Sequence, residues 1–245
     1  MHDSLLLRLE EGQACGNLPV QTRLTGGKTV FGKVPVTLDE PNVLVLDMGE
    51  YAFDDGEWQE TEEFLRIDNL GRKALGVQLR KKFVTQPYKI KPEIPTHEIQ
   101  LRMKFDSEID YAGAKLALEE PLTAKITFNG NQIDHTPDGW YVDKCIETVP
   151  LTPIQVGENV LEVTVPLGTR TNLEWFYLLG DFGVRVDGCV KTITKKVEKL
   201  AFGNVVSQGL PFYTGNITYA FPVKVAEDGR LAVRAEQYRG APTPL

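Results

Sequence analysis

Hydrophobic and polar residues alternate along most of the chain. In the segment EIQLRMKF, Ile99, Leu101, Met103 and Phe105 occupy every second position. The same period of two recurs in three further segments: 124–128, 157–165 and 216–225. Because successive side chains of a strand point to opposite faces, this period is typical of half-buried strands. Turn residues separate the segments, so the pattern predicts an all-β protein built as a sandwich or barrel of antiparallel strands.

One segment departs from this alternation and predicts a short helix over residues 61–75. Its apolar residues, among them Phe64 and Ile67, fall at helical spacing. Thr61 is expected to cap the first turn, where the acidic residues that follow it suit the helix dipole. Gly76 is expected to end the helix.

The charge balance argues against a nucleic-acid partner. The formal net charge is −7, and the basic segment is KTITKKVEK at 191–199. Binding to a phosphate backbone needs a basic face, whereas near-alternate lysines are typical of a solvated edge strand. No apolar run approaches the roughly 20 residues that span a bilayer, so we also expect no membrane partner.

The cysteine pattern predicts neither a metal site nor a cofactor. Cys15, Cys145 and Cys189 are far apart, and no pair of Cys or His residues has the spacing of zinc ligands. Each is expected to be a buried free thiol. Unpaired cysteines fit a reducing compartment, so the predicted location is the cytoplasm.

Acidic residues leave a catalytic alternative open. Glycoside hydrolysis needs two carboxylates roughly 5 to 10 Å apart across a cleft. The acids considered for this role are Asp47, Asp54, Asp55, Glu174 and Asp181. Nothing in the sequence shows that any two of them converge. We therefore assign no catalytic residue, and a catalytic fragment that uses these acids stays an alternative.

The segment TFNGNQIDHTPDGWY at 127–141 is the strongest candidate for a binding site. Asn129-Gly130 predicts a tight hairpin turn, and Trp140 and Tyr141 should lie on opposite faces of the strand that follows. One ring is expected to close the end of the core, and the other can offer a flat surface to the apolar face of a sugar. The polar neighbours expected at such a carbohydrate site are Asn131, His135 and Asp138.

Three segments, KITFNGNQI, DGWYVDKCIETVPL and QVGENVLEVTVP, together resemble the jelly-roll sugar-binding domain of glycoside hydrolase family 2, a galactose-binding-like sandwich. The residues that match its pattern are Asn129-Gly130, Gly139-Trp140-Tyr141, Gly157, Asn159, Leu161, Val163 and Val165. The flanking segments EPNVLVLDMGEYAFDDGEWQ, TNLEWFYLLGDFGVRVDG and GLPFYTGNITYAFPV resemble parts of large bacterial glycosidases that are similar to α-L-rhamnosidases and β-galactosidases.

This resemblance implies an accessory module of a glycosidase. Enzymes of the family carry their catalytic acids in a (β/α)₈ barrel, and this chain has no alternating strand–helix pattern that would build one. The resemblance therefore implies that the partners are the catalytic domain of a parent glycosidase and, weakly bound, carbohydrate. A purely structural spacer is the remaining alternative.

The sequence also predicts four regions of a longer protein. Residues 1–40 are expected to supply strands from the end of a preceding module, and residues 41–95 a strand, the helix and a proline-rich connector. Residues 96–190 are expected to form the jelly-roll sandwich. Residues 191–245 are expected to form a connector and the start of a following sandwich.

Overall fold

The structure is a computed structural model, and it describes residue 30, residues 32–80 and residues 94–224. All elements named below belong to the unit Gly32–Leu245. Short 3₁₀ turns lie at Pro121–Thr123 and Val206–Gln208. The strands and helix of the described residues are β1 (Lys33–Leu38), β2 (Asn42–Leu46), β3 (Met48–Phe53), β4 (Gln59–Glu63), α1 (Phe64–Ala74), β5 (His97–Ser107), β6 (Lys115–Glu119), β7 (Lys125–Phe128), β8 (Asn131–Gln132), β9 (Gly139–Tyr141), β10 (Asp143–Pro150), β11 (Gly157–Leu167), β12 (Phe176–Gly180), β13 (Gly183–Asp187), β14 (Val190–Thr194), β15 (Lys199–Ala201) and β16 (Ile217–Tyr219).

Over the described residues these strands form three sheets. Sheet I has the order β2-β12-β6-β10-β9. Sheet II has the order β13-β14-β5-β11-β7-β8, with β3 pairing to β5 and β4 to β3. Sheet III has the order β15-β1-β16. Among the described strands the pairs are antiparallel except β14 with β5, which run parallel. The predicted all-β architecture with one short helix is confirmed.

Sheets I and II pack face to face and share one hydrophobic core. Alternate residues of sheet I, such as Leu116 and Leu178, lie in the same buried cluster as Leu101, Phe128 and Val163 of sheet II. The predicted strands 99–105, 124–128 and 157–165 correspond to β5, β7 and β11. The period of two thus identified the buried face correctly, and the two sheets form a β-sandwich.

Two asparagines join the hairpin after β7 to the start of β11. Asn129 and Gly130 have φ of 49° and 76°, the left-handed conformation that a tight hairpin turn requires. The Asn129 amide donates to Oδ1 of the fully buried Asn159 (2.9 Å), and its own Oδ1 accepts from the Val160 N–H (2.8 Å). Residues from two motifs that the sequence showed separately therefore meet, and the predicted hairpin is confirmed.

Helix α1 begins later than the sequence predicted. Residues up to Glu63 belong to β4, where Glu63 pairs with Met48 of β3. The cap is consequently Glu63, whose carboxylate accepts from the Arg66 N–H (3.2 Å), and the predicted cap Thr61 is wrong. The helix ends at Ala74, followed by Gly76 with φ of 71°, as predicted.

A buried arginine fastens α1 to the sandwich. Arg72 is completely buried, and its Nε lies 2.9 Å from both carboxylate oxygens of Asp68. Its other nitrogens donate to the carbonyl oxygens of Gln78 (3.0 Å), Gly168 (3.3 Å) and Thr171 (2.6 Å). Because the last two lie in the segment between β11 and β12, this side chain links regions almost 100 residues apart.

Sheet III joins segments that the sequence had assigned to different regions. β1 lies between β15 and β16, with Val34 opposite Leu200 and Thr37 opposite Thr218. A separate small cluster of Leu200, Leu210 and Tyr213 is buried beneath it. Likewise, β2 pairs with β12 and β3 with β5. Residues 33–53 are therefore integrated with strands from much later in the chain.

Three local predictions differ from the structure. The basic segment 191–199 is not a single edge strand. Its first part is in β14, which lies between β13 and β5, and Lys191 there pairs with Asp47. Lys199 at its end belongs to β15, the edge strand of sheet III. Cys145 and Cys189 are exposed rather than buried. The strand predicted over 216–225 is β16, which ends at Tyr219.

Some predictions lie outside the described residues: Cys15, most of the predicted preceding module, much of the proline-rich connector, and residues after 224. Among the described residues, none of the helices has the length and apolar character needed to cross a bilayer.

Candidate functional site

The hairpin of β9 and β10 folds across the outer face of sheet I. β9 is the edge strand, and β10 and β6 separate it from β12. Three strand spacings amount to about 14 Å, beyond the reach of a side chain, yet the Tyr141 ring lies 5.5 Å from the ring of Tyr177 in β12. The hairpin bends because its register shifts between Asp143 and Glu147 and Val142 has φ of 59°. The left-handed backbone conformation is uncommon and strained for a β-branched residue such as Val142.

This bend creates a cleft of about 260 Å³ beside sheet III. One wall is Tyr141 and Val142, and the floor includes Val43 of β2. The opposite wall comes from the chain that links β1 to β2 and from the segment before β16. Its lining residues among those described are Glu40, Pro41, Val43, Tyr141, Val142, Tyr213, Thr214 and Gly215. The cleft therefore has aromatic and apolar walls and one carboxylate, and it is smaller than the roughly 300–1,000 Å³ of typical small-molecule sites.

A hydrogen-bonded network holds the carboxylate of Glu40 in place. Its Oε2 accepts from the Tyr213 hydroxyl (2.9 Å) and the Asn216 backbone N–H (2.7 Å). Its Oε1 has one contact within the part of the chain that the structure describes, to the Asn216 side-chain amide at 3.2 Å. A Cβ on Gly215 would overlap both the carboxylate and the Tyr213 hydroxyl, so a larger residue there would displace Glu40 from this position. Oε1 keeps acceptor capacity for a ligand, because a carboxylate oxygen has two lone pairs.

The ionisation of the cleft follows from these contacts. The Asn216 backbone N–H, together with the Tyr213 hydroxyl, lowers the pKa of Glu40, so this carboxylate is charged at neutral pH. Burial, with the hydrogen bond to Glu40, raises the pKa of Tyr213 to about 12. Burial also raises the pKa of Tyr141, with smaller contributions from Tyr177 and Glu40. At neutral pH the cleft presents one negative charge between neutral phenol rings.

Asn42 anchors the chain beside Glu40. Its buried side-chain amide donates to the carbonyl oxygens of Phe182 (2.7 Å) and Gly209 (3.1 Å). These bonds fix the start of β2 against the segments after β12 and before β16. The position of Glu40 is therefore set by the sandwich as well as by its own carboxylate contacts.

Of the five residues predicted for a carbohydrate site, Tyr141 lines this cleft. It packs on the outer-face cluster of Val43, Ala117 and Leu179, which is distinct from the core between the sheets. The prediction that one of the two adjacent aromatic rings closes the end of that core is therefore wrong. The other ring, Trp140, is 58% exposed at the edge of sheet I.

The three polar residues predicted beside these rings do not line the cleft. Asn131 is exposed in β8, and its amide donates to the Asn129 carbonyl oxygen (3.2 Å). Asp138 is engaged within sheet I, accepting from Thr148 Oγ1 (2.7 Å) and pairing with Lys115 (2.8 Å). His135 is half-buried, and its Nδ1 has no hydrogen-bond partner among the described residues.

Sequence reasoning missed the residues that complete the cleft. Glu40 and Tyr213 are 173 positions apart, and no local pattern links them. A signal was available in the segment PFYTGN, where adjacent aromatic residues precede a glycine as they follow one in DGWY. That likeness shows that both are aromatic turns, but it does not show that the turns face each other.

Four of the five acids of the catalytic alternative pair with separate basic residues. Asp181 pairs with Lys196 (2.6 Å) and Asp54 with His97 (2.9 Å). Glu174 lies 3.9 Å from Arg80. Asp47 contacts Lys191, and Asp55 is exposed. None of the five lines this cleft or the depression described next.

A second depression, of about 390 Å³, follows the exposed face of α1. Its lining is Glu62, Arg66, Asn69, Leu70 and Lys73. It contains no aromatic ring among these described residues, and Arg66 and Glu62 are 3.6 Å apart as an ion pair. The depression is consistent with the solvated face of an amphipathic helix.

Comparisons with protein-family models, with curated proteins and with solved structures each found no match to this chain.

Proposed function

We propose that the chain is an accessory, non-catalytic β-sandwich module that binds carbohydrate weakly in the cleft between Tyr141 and Glu40. The observation that carries the proposal is the placement of an aromatic ring and a charged carboxylate in one small cleft. The apolar C–H face of a pyranose packs on an aromatic ring, which has a flat apolar surface. A sugar hydroxyl can then donate to the free acceptor site of Glu40 Oε1.

The shape of the cleft indicates weak binding. With a volume of about 260 Å³ it has room for one small ring, and its floor is the outer surface of a sheet rather than an enclosed cavity. Shallow sites of this kind bury little ligand surface. We expect dissociation constants on the order of millimolar, or about −4 kcal/mol.

We further propose that the sandwich is a jelly roll of the galactose-binding-like type and belongs to a glycoside hydrolase. The resemblance of the segments around Asn129, Trp140 and Asn159 supports this assignment, and the contact of Asn129 with Asn159 gives two of those segments a shared structural role. The exposed Trp140 is a suitable contact for the parent's catalytic domain, since aromatic residues are enriched at protein interfaces.

Chemical-shift mapping tests the site. We expect millimolar glucose, galactose or rhamnose, added to ¹⁵N-labelled protein, to shift the amides of Val43, Tyr141, Val142, Thr214 and Gly215. These amides belong to residues that line the cleft, and a sugar ring within a few ångströms changes their environment.

The same spectra contain an internal control in the amides of Asn131 and His135. Shifts confined to those two residues and their neighbours would place the site in the loop after β8 instead. The absence of any shift with every sugar would leave the structural spacer as the better account.

A further inference from the structure

The electrostatics of the cleft carry an inference about which sugars it accepts, and this inference rests on the proposed function. Among the residues that line the cleft, Glu40 is the charged one. Asp39, the residue before it in the chain, is also acidic, and its backbone N–H donates to the Asn216 carbonyl oxygen (3.2 Å). A ligand in the cleft therefore meets negative charge without a compensating lysine or arginine in the described lining.

The two phenol rings add to the preference for a cationic ligand. Tyr141 and Tyr213 line the cleft, and the face of an aromatic ring attracts cations through its quadrupole. The Tyr213 hydroxyl contacts Glu40 Oε2 and the Asn216 carbonyl oxygen, so its one proton is not available to donate to an anionic ligand. A cationic group on a ligand is thus favoured both by the carboxylate and by the rings.

We propose that Glu40 makes the cleft selective by charge: it binds amino sugars more tightly, and uronic acids more weakly, than their neutral parents. An ammonium group can donate to Oε1, whose single contact among the described residues is at 3.2 Å. The carboxylate of a uronic acid is repelled by the same oxygen. Glu40 is exposed to solvent, so screening keeps the selectivity moderate. We expect the affinity to fall roughly two- to five-fold from the amino sugar to the neutral sugar, and again from the neutral sugar to the uronic acid.

Matched sets of sugars test this order. We expect glucosamine, glucose and glucuronate, titrated at pH 6, to bind in that order, and the galactose set to give the same order. At this pH the amine is protonated, the uronic acid is ionised and Glu40 is charged. Raising the salt concentration to about 0.5 M should reduce the differences, because the Debye length then falls to a few ångströms.

Two variants test whether the charge of Glu40 produces this order of affinities. Glu40→Gln keeps an oxygen that can accept from Tyr213 and Asn216 but removes the charge, so it should remove the order of affinities. Glu57→Gln, an exposed carboxylate in the loop between β3 and β4, changes the net charge equally and should leave the order intact. Melting curves confirm that each variant is folded, and the salt series tests the order without any variant.

The outcomes separate this inference from the proposed function. The predicted order, lost in Glu40→Gln and weakened by salt, supports charge selectivity. Charge selectivity would be overturned by any of three results: equal or reversed affinities, an order of affinities that survives in Glu40→Gln, or an order that is insensitive to salt. Each of these would leave a sugar-binding cleft in place. If no sugar of either set binds the wild-type protein, the proposed function fails, and this inference fails with it.

Discussion

The variant Arg72→Met is expected to lose about 3–5 kcal/mol of unfolding free energy, because removing one partner of a buried ion pair leaves the other charge uncompensated. Asp68, which is 3% exposed, would lose the guanidinium of Arg72 that compensates its charge. The carbonyl oxygens of Gln78, Gly168 and Thr171 would each lose a donor. The expected loss is a large part of the 5–15 kcal/mol that stabilises a typical domain.

Urea denaturation followed by tryptophan fluorescence measures this change, and Lys73→Met provides the control. Lys73 is the next residue and is exposed, so its replacement should change the unfolding free energy by less than about 0.5 kcal/mol. A loss for Arg72→Met that is within 1 kcal/mol of the control would contradict the described role of the arginine.

The variant Asn159→Ala should lose roughly 3 kcal/mol of unfolding free energy. The Asn159 side chain is fully buried and makes four hydrogen bonds: Oδ1 accepts from Asn129 Nδ2 (2.9 Å) and the Gln155 N–H (3.0 Å), and Nδ2 donates to the Gln155 (2.7 Å) and Gly157 (3.0 Å) carbonyl oxygens. Alanine would leave these groups without partners, and each buried unpaired group costs about 1–3 kcal/mol.

Thermal and urea unfolding of Asn159→Ala should be compared with that of Asn131→Ala. Asn131 is exposed, and its side chain makes one contact, to a carbonyl oxygen of the same turn, so its loss should cost less than about 0.5 kcal/mol. Amide exchange at Val160, whose N–H is held by Asn129, should accelerate in the first variant alone. Equal stability of the two variants would show that the asparagine pair does not join the hairpin to β11.

The sequence predicted the parts of this fold that local chemistry determines. Alternation identified β5 and β11, and Asn129-Gly130 identified the hairpin, because the face of a strand and the conformation of a tight turn depend on neighbouring residues. The position of the first helical turn failed for a non-local reason. Strand pairing of β4 with β3 extends to Glu63, and this competes with the cap expected at Thr61.

The candidate site was predicted only in part, because its residues come from distant parts of the chain. The sequence selected Tyr141 as an aromatic ring at a loop–strand junction. It did not show that the bend at Val142 carries this ring to Glu40 and Tyr213, since that requires the pairing of β1 with β16 across about 180 residues of chain. Asp138 was selected for its position beside the rings, but it is engaged with Lys115 and Thr148.

The central claim, that the cleft beside Tyr141 binds carbohydrate, is tested most directly by comparing Tyr141→Leu with Trp140→Leu. Both variants remove an aromatic ring from adjacent positions and keep an apolar side chain. Sugar titrations followed by chemical shifts should show that Tyr141→Leu removes binding and that Trp140→Leu, which lies outside the cleft, retains the wild-type affinity. Loss of binding in Trp140→Leu with full binding in Tyr141→Leu would contradict the account.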